Sequence, residues 1–258
     1  MIINMKIPKK IFQTHITKDI PPDTMYQINR LKDLNPDYEY IYHDNEDMER
    51  YIKDNFDDSV HRALMRIKPG AGKADIWRLA VICREGGVYI DLDRVMHDNT
   101  PPLNTLINDD DEFIHGRNWH RFGYNAPAPN SMLISRPNHP IIKNTLLSVV
   151  DSVNNNKPLV AVGHRDGCFR SSRPDGGPWG GELESYTGTP HLWKAMSDYL
   201  GFVDLWQDAP EWVEKGILHE GIRITNSVER YFKQHDAYGA DHVTMGGQHW
   251  TVQDVFNS

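Results

Sequence analysis

The chain has 258 residues and a formal net charge of −8, with apolar and charged fractions ordinary for a soluble globular protein. That length is enough to bury one substantial core, and the acidic balance argues against a nucleic-acid binder, which needs a basic face. No apolar run approaches bilayer length and no basic stretch leads into a long apolar segment at the start, so neither a membrane span nor a signal peptide is expected and the expected location is cytoplasmic.

Residues 9–15 read as a first strand with a polar outgoing end. Pro21-Pro22-Asp23 opens a helix that runs to about residue 34. Asn35-Pro36-Asp37 is a turn, and residues 38–42 form a second strand rich in aromatics. Asp44-Asn45 caps a helix with Met48, Tyr51 and Ile52 on one side, and a further helical segment at residues 60–67 stops at Pro69-Gly70. Strand, helix, strand, helix at this spacing predicts a parallel α/β sheet.

The next predicted helix, residues 72–85, places Ile76, Leu79, Ala80 and Cys83 on a core-facing stripe. Asp75, Arg78 and Ile82 form the neighbouring stripe, so Asp75 and Arg78 emerge together at its border. Gly86-Gly87 supplies a left-handed cap, residues 88–90 form a strand, and Asp91 is its exit. Cys83 and Cys168, the two cysteines, are expected as reduced thiols.

Farther on, residues 112–115 and 131–134 look like strands and residues 140–153 like a helix. Residues 163–181, rich in Gly, Pro, Arg and Ser, read as a long loop of the kind that serves as a lid or binding loop. Neither repeats nor a linker divide the chain. A single domain over residues 1–258 is expected.

Chemistry gathers at Asp91 and Asp93. Carboxylates at i and i+2 leave an extended strand on one side and can converge on one ion. Oxygen ligands suit Mn²⁺ or Mg²⁺, which keep positions open for phosphate oxygens. Ligands of parallel α/β proteins bind beyond the carboxyl ends of the strands, where this pair should lie. The pattern is weak alone, because Asp109-Asp110-Asp111 repeats it. Arg78 has two readings, a surface ion pair with Asp75 at i+3 or a substrate contact.

Taken together, several segments resemble the Och1-like and capsular-polysaccharide sugar transferases, glycosyltransferase family 32. Residues 7–15 (IPKKIFQTH) are similar to that family's opening, and Asn35-Pro36-Asp37-Tyr38-Glu39-Tyr40 to a following segment. Asp75-Ile76-Trp77-Arg78 with Gly86-Gly87-Val88-Tyr89-Ile90-Asp91-Leu92-Asp93 resembles its central signature. Residues 130–140 and Thr187-Gly188-Thr189-Pro190 follow in the family's order. The resemblance implies an α/β GT-A fold, a Rossmann-like nucleotide-diphospho-sugar transferase domain. Residues up to about 95 would bind the nucleotide sugar; residues from about 96 to 258 would bind the acceptor and close the site.

It further implies a UDP-hexose or GDP-mannose donor, a glycan or other hydroxyl acceptor, and retention at the anomeric carbon. By position, Asp75 would contact donor sugar or ribose, Arg78 sugar and phosphates, and Tyr89 the diphosphate. Asp91 would reach ribose and metal, and Asp93 would be the main ligand of Mn²⁺ or Mg²⁺. Gln13, Thr14 and His15 would border the base, with Asn130 among the donor contacts. His15 stands where the family has Trp and offers less stacking area. Either His242 or His249 would complete the metal shell, with His242 preferred.

On this reading Asp75, Arg78, Asp91 and Asp93 form the catalytic set. The metal would act as a Lewis acid on the departing diphosphate, and Arg78 would add preorganised positive charge. Front-face attack is expected; a covalent route needs a carboxylate beneath the sugar, for which Glu182 and Glu184 are testable. Two other readings stand beside this one. Asp91 and Asp93 also fit a haloacid-dehalogenase-type phosphohydrolase, with Asp91 as nucleophile, and a non-catalytic sugar-binding protein would keep the same scaffold.

Overall fold

The computed structural model describes residues 5–116, 130–159, 181–201, 217–224, 228–234 and 255–256. Its first half alternates strand and helix as the periodicity predicts: β1 (Lys10–Thr14), α1 (Pro22–Leu34), β2 (Glu39–His43), α2 (Asn45–Asn55), α3 (Asp58–Arg66), α4 (Gly70–Glu85) and β3 (Gly87–Ile90). Asp44 caps α2 as expected, its carboxylate accepting from the Asp47 amide at 2.9 Å. Then come β4 (Arg94–Met96), β5 (Phe113–His115), β6 (Met132–Ser135), α5 (Pro140–Asn155), α6 (Gly181–Thr187), α7 (Thr189–Leu200), β7 (Ile217–His219), β8 (Ile222–Ile224) and β9 (Phe232–Gln234).

Among the described residues the main sheet has the order β2-β1-β3-β6-β5-β8-β7. Strands β2, β1 and β3 are parallel, but β6 runs antiparallel to β3 and β5. Strand β8 then follows β5 in parallel, and β7 reverses against it. The sheet is therefore mostly parallel, with β6 and β7 inverted, rather than wholly parallel. Periodicity sets which residues face the core and carries no information on strand direction. The inversion of β6 brings its incoming end, at Asn130 and Ser131, to the sheet edge where β3 leaves.

Alternate residues of the strands enter two cores. Phe12, Tyr89 and Leu133 pack with α2, α3, α4 and α5 on one face. Ile11, Val88, Ile90 and Met132 pack on the other face with Leu31 of α1 and with Met96 and Phe232. The last two belong to a β4–β9 antiparallel ribbon that the sequence did not reveal, since three-residue strands carry too little pattern.

Helix α4 departs from the predicted single stripe. Every residue from Ile76 to Cys83 is buried, because α4 packs against α3, α5, α6 and the sheet together. That enclosed stretch is apolar all round except for Arg78, and each fully buried Leu or Ile contributes roughly 1.5–3 kcal/mol. At its end Gly86 takes the positive φ expected of a glycine cap, 66°, but with ψ −170° it stops the helix without the left-handed αL geometry predicted for it. A Cβ on Gly87, at φ 103°, would lie 2.7 Å from the Lys10 carbonyl oxygen, so this glycine lets β3 approach β1.

Among the described residues no helix is long and apolar enough to cross a membrane. The predicted loop at residues 163–181 lies outside the described residues except for Gly181, which opens α6. Cys168, His242 and His249 also lie outside them. Cys83 is a buried free thiol.

Candidate active site

Helix α4 delivers Asp75 and Arg78 to the carboxyl end of β3, where the chain turns through Asp91, Leu92 and Asp93. Arg78 is the centre of the arrangement. Its side chain is 6% exposed and spans two carboxylates, with Nη2 3.3 Å from Asp75 Oδ1 and 3.1 Å from Asp91 Oδ1. Nη1 donates to the Asn130 carbonyl at 2.8 Å, Nε donates to the Ala74 carbonyl at 3.3 Å, and the guanidinium lies 4.7 Å over the Tyr89 ring. These contacts overturn the surface ion-pair reading, because a charge buried this deeply is retained only with paired partners.

Asp75 is held from three sides. Asn130 Nδ2 donates to Oδ1 at 2.9 Å, Thr187 Oγ1 donates to Oδ2 at 2.8 Å, and Arg78 supplies the charge. Burial still pushes its carboxyl up to about 6, against the lowering effects of Arg78, Thr187 and Asn130. Asn130 therefore fixes both members of the Asp75–Arg78 pair, through its side chain and its carbonyl.

The Asp91–Asp93 segment is a turn, not the extended strand end expected from the spacing. The Asp91 amide donates to Ser131 at 2.8 Å, and the Arg94 amide folds back to the Asp91 carbonyl at 2.9 Å. The two carboxylates are neighbours through the turn rather than through period-two alternation. Asp91 is engaged: Tyr89 donates its hydroxyl to Oδ1, and Arg78 reaches both oxygens. Tyr89 is thereby enclosed beneath Arg78, and burial holds its phenol well above the usual range.

Asp93 is different. Its Oδ1 is buried and has no hydrogen-bond partner among the described residues. Burial first and the neighbouring Asp91 second push its carboxyl up to about 6. An unpartnered carboxylate oxygen beside a second carboxylate is a donor set that fits a hard divalent cation. Among the described residues no group of three or more His, Cys, Asp and Glu side chains gathers as a metal site. The expected third ligand, His242 or its alternative His249, falls outside them.

The residues expected at the base divide. Gln13 is 2% exposed, donates to the Ile90 carbonyl at 3.3 Å and accepts from Tyr40 at 2.9 Å, so it ties β1 to β2 and β3. Thr14 turns to the opposite face, where its hydroxyl meets the His43 carbonyl at 2.7 Å and Met48 Sδ at 3.1 Å. The neighbours of the Thr14 side chain are thus in the core. His15 is half-buried at the outgoing end of β1.

Glu182 and Glu184 lie on α6. The second Asp-x-Asp is structural: Asp111 makes a two-pronged pair with Arg223 at 2.7 and 2.5 Å and accepts from the Asn108 amide. Sequence reasoning missed the Thr187 contact to Asp75, which joins residues 112 positions apart. The one available signal was the threonine opening the Thr187-Gly188-Thr189-Pro190 stretch.

Residues 21–113 match the family model described as the glycosyltransferase sugar-binding region containing the DXD motif. Mannosyl phosphorylinositol ceramide synthase SUR1 of Saccharomyces cerevisiae is 35% identical over 97 residues, which cover 38% of this chain and 25% of that protein. An uncharacterized glycosyltransferase of Acanthamoeba polyphaga mimivirus, L373, is 30% identical over 155 residues, covering 57% of this chain and 59% of that protein. The match thus spans a quarter of the yeast relative and less than two thirds of the viral one. Among solved structures the PaToxG glycosyltransferase superposes with a TM-score of 0.50 over 88% of this chain and 89% of that chain, at 16% identity. The fold is that of the GT-A glycosyltransferase domains.

Proposed function

We propose, from the match of residues 21–113 to the glycosyltransferase sugar-binding region containing the DXD motif, that the chain is a metal-dependent, retaining hexosyltransferase. It would move a hexose from a nucleotide sugar to a hydroxyl of a glycan or related acceptor. The observation that carries the reading is the buried Arg78 strung between Asp75 and Asp91, next to the unpartnered oxygen of Asp93. Positive charge largely shielded from water is suited to an anionic leaving group, and it is already oriented before the reaction begins.

Asp93 is the principal residue to hold Mn²⁺ or Mg²⁺, with Asp91 beside it. Such a cation, when bound, supplies Lewis-acid stabilisation of the diphosphate. Arg78 adds fixed positive charge on the α4 side, and Asp75 with Asn130 fixes the angle at which that charge is presented. The transfer breaks the bond from the anomeric carbon to the diphosphate oxygen and forms one to the acceptor oxygen. The acceptor proton passes to the leaving phosphate oxygen, so no enzyme base is required. Both Asp75 oxygens are occupied by donors, which speaks against a covalent route through that carboxylate.

The phosphohydrolase reading needs Asp91 free to attack phosphorus. Its two oxygens are held by Arg78 and Tyr89, an arrangement suited to a positioned acceptor of hydrogen bonds and not to a nucleophile. Donors proposed are UDP-hexoses and GDP-mannose. The relative named for a mannosylated lipid product puts mannose first in a panel.

The test is donor hydrolysis and thermal stabilisation with UDP-glucose and GDP-mannose, each with and without Mn²⁺. At 100 times its Kd, a bound donor stabilises by about 2.7 kcal/mol, which corresponds to a rise of about 5–10 °C for a domain of this size. No stabilisation and no turnover with any nucleotide sugar, with metal present, would overturn the proposal.

A further inference from the structure

Thr187 lies at the end of α6, in the second half of the chain, and is completely buried. Its hydroxyl has one proton and two acceptors in reach: Asp75 Oδ2 at 2.8 Å and the Leu183 carbonyl, one turn back, at 3.3 Å. The shorter contact to a carboxylate is the stronger, because ionised acceptors roughly double a hydrogen bond. Thr187 is the only donor to that oxygen among the described residues, whereas Oδ1 has Asn130 and Arg78.

From this geometry we propose that Thr187 is a positioning residue for glycosyl transfer, locking Asp75 so that the Asp75–Arg78 pair meets the donor sugar in one orientation. The proposal rests on the glycosyltransferase reading above and gives the Thr187-Gly188-Thr189-Pro190 stretch a task. Without the hydroxyl, a buried Oδ2 has no donor and Asp75 is free to rotate about its side chain, while Arg78 stays on Asp91 and the Asn130 carbonyl. Helix α6 is itself anchored: Tyr186, the preceding residue, donates to Asn156 Oδ1 at 2.7 Å and packs edge-on against Phe256 at 4.8 Å. The fixed helix holds the hydroxyl, and the hydroxyl holds Asp75. Through it, the half of the chain expected to receive the acceptor sets the grip on the donor.

The experiment compares wild type, Thr187→Val and Thr187→Ser, using whichever of UDP-glucose and GDP-mannose the wild type turns over with Mn²⁺. The valine keeps the volume and removes the donor; the serine restores it. Expected is a loss of roughly 10–100-fold in kcat for Thr187→Val, the range of changes behind residues that contact substrate directly, with recovery to within a few-fold in Thr187→Ser. Affinity for the nucleoside diphosphate alone, which lacks the sugar, is expected to stay at the wild-type value in both. A merely structural threonine would weaken diphosphate affinity and kcat together. If the valine variant does not fold, Thr187→Cys, which retains the size and a weak S–H donor, is measured in its place with the same split expected at smaller size. A wild type inactive on every nucleotide sugar overturns the glycosyl-transfer reading, and the positioning role with it. An active wild type whose kcat is matched by the valine variant, or whose diphosphate affinity falls in step with kcat, overturns the positioning role alone.

Discussion

Arg78 shows how a side chain that reads as ordinary in sequence acquires a role through burial. At i+3 from Asp75 it fits a surface ion pair worth a few tenths of a kcal/mol. With its side chain 6% exposed and contacts to Asp75, Asp91, Asn130 and Tyr89, it becomes the charge on which the site is built. Arg78→Ala leaves two carboxylates facing each other in a buried place. It is expected to cost about 3–5 kcal/mol of stability, read by urea denaturation, and most of kcat; a variant with unchanged denaturation midpoint would contradict this account.

Asp93 should behave oppositely. Its carboxyl is raised to about 6, so the folded protein prefers it protonated. The stability this contributes in metal-free protein is present at low pH and is lost as pH rises through about 6. Asp93→Asn is therefore expected to melt at or above the metal-free wild type at neutral pH, while losing stabilisation by Mn²⁺ and metal-dependent turnover. An asparagine variant stabilised by Mn²⁺ as fully as wild type would remove Asp93 from the proposed metal site.

At the scale of elements, the approach of β3 to β1 and the neutral histidine at the start of α5 both carry consequences. Gly87→Ala forces φ 103° on a residue with a Cβ and drives that atom to 2.7 Å from the Lys10 oxygen. A cost of at least about 1–3 kcal/mol is expected, visible as a lowered denaturation midpoint, and donor hydrolysis should fall as the Asp91 turn shifts.

His139 caps α5 through Nδ1, which accepts from the Ile141 amide at 3.3 Å, and its ring stacks on Phe113 at 5.2 Å. Burial lowers it to about 4. With a folded value below the ordinary 6.5, the unfolded chain binds the extra proton first, so stability is full above about 6.5 and falls as pH drops toward 4. The slope from this histidine is at most about 1.4 kcal/mol per pH unit. His139→Asn keeps a capping acceptor and should flatten the acid limb in denaturation measured between pH 6.5 and 4; an unchanged slope would exclude the histidine as its source.

Across the whole molecule, the pairing of β3 with β6 joins the two halves in one sheet and explains why the site draws on residues far apart in the chain. Asp75 and Arg78 come from α4, Asp91 and Asp93 from the turn after β3, Asn130 from the approach to β6, and Thr187 from α6. The first half was legible because its helices run 9–16 residues, Asp44 and Asp57 cap α2 and α3, and Pro36, Pro69 and Gly86 punctuate the chain. The second half was less so, since β4, β7, β8 and β9 are three residues each and too short to carry a period.

The amino-acid sequence by itself determined the succession of strands and helices up to Gly87, the glycine stop of α4, and the candidate set of Asp75, Arg78, Asp91 and Asp93. Those are local matters of periodicity, capping and residue chemistry. Only the tertiary structure decided that α4 is buried on every side from Ile76 to Cys83, that β6 is reversed, that Asp91 and Asp93 share a turn, and that Thr187 and Asn130 hold Asp75. Each of these depends on which surfaces meet, and a buried carboxylate must find its hydrogen-bond donors wherever the fold brings them.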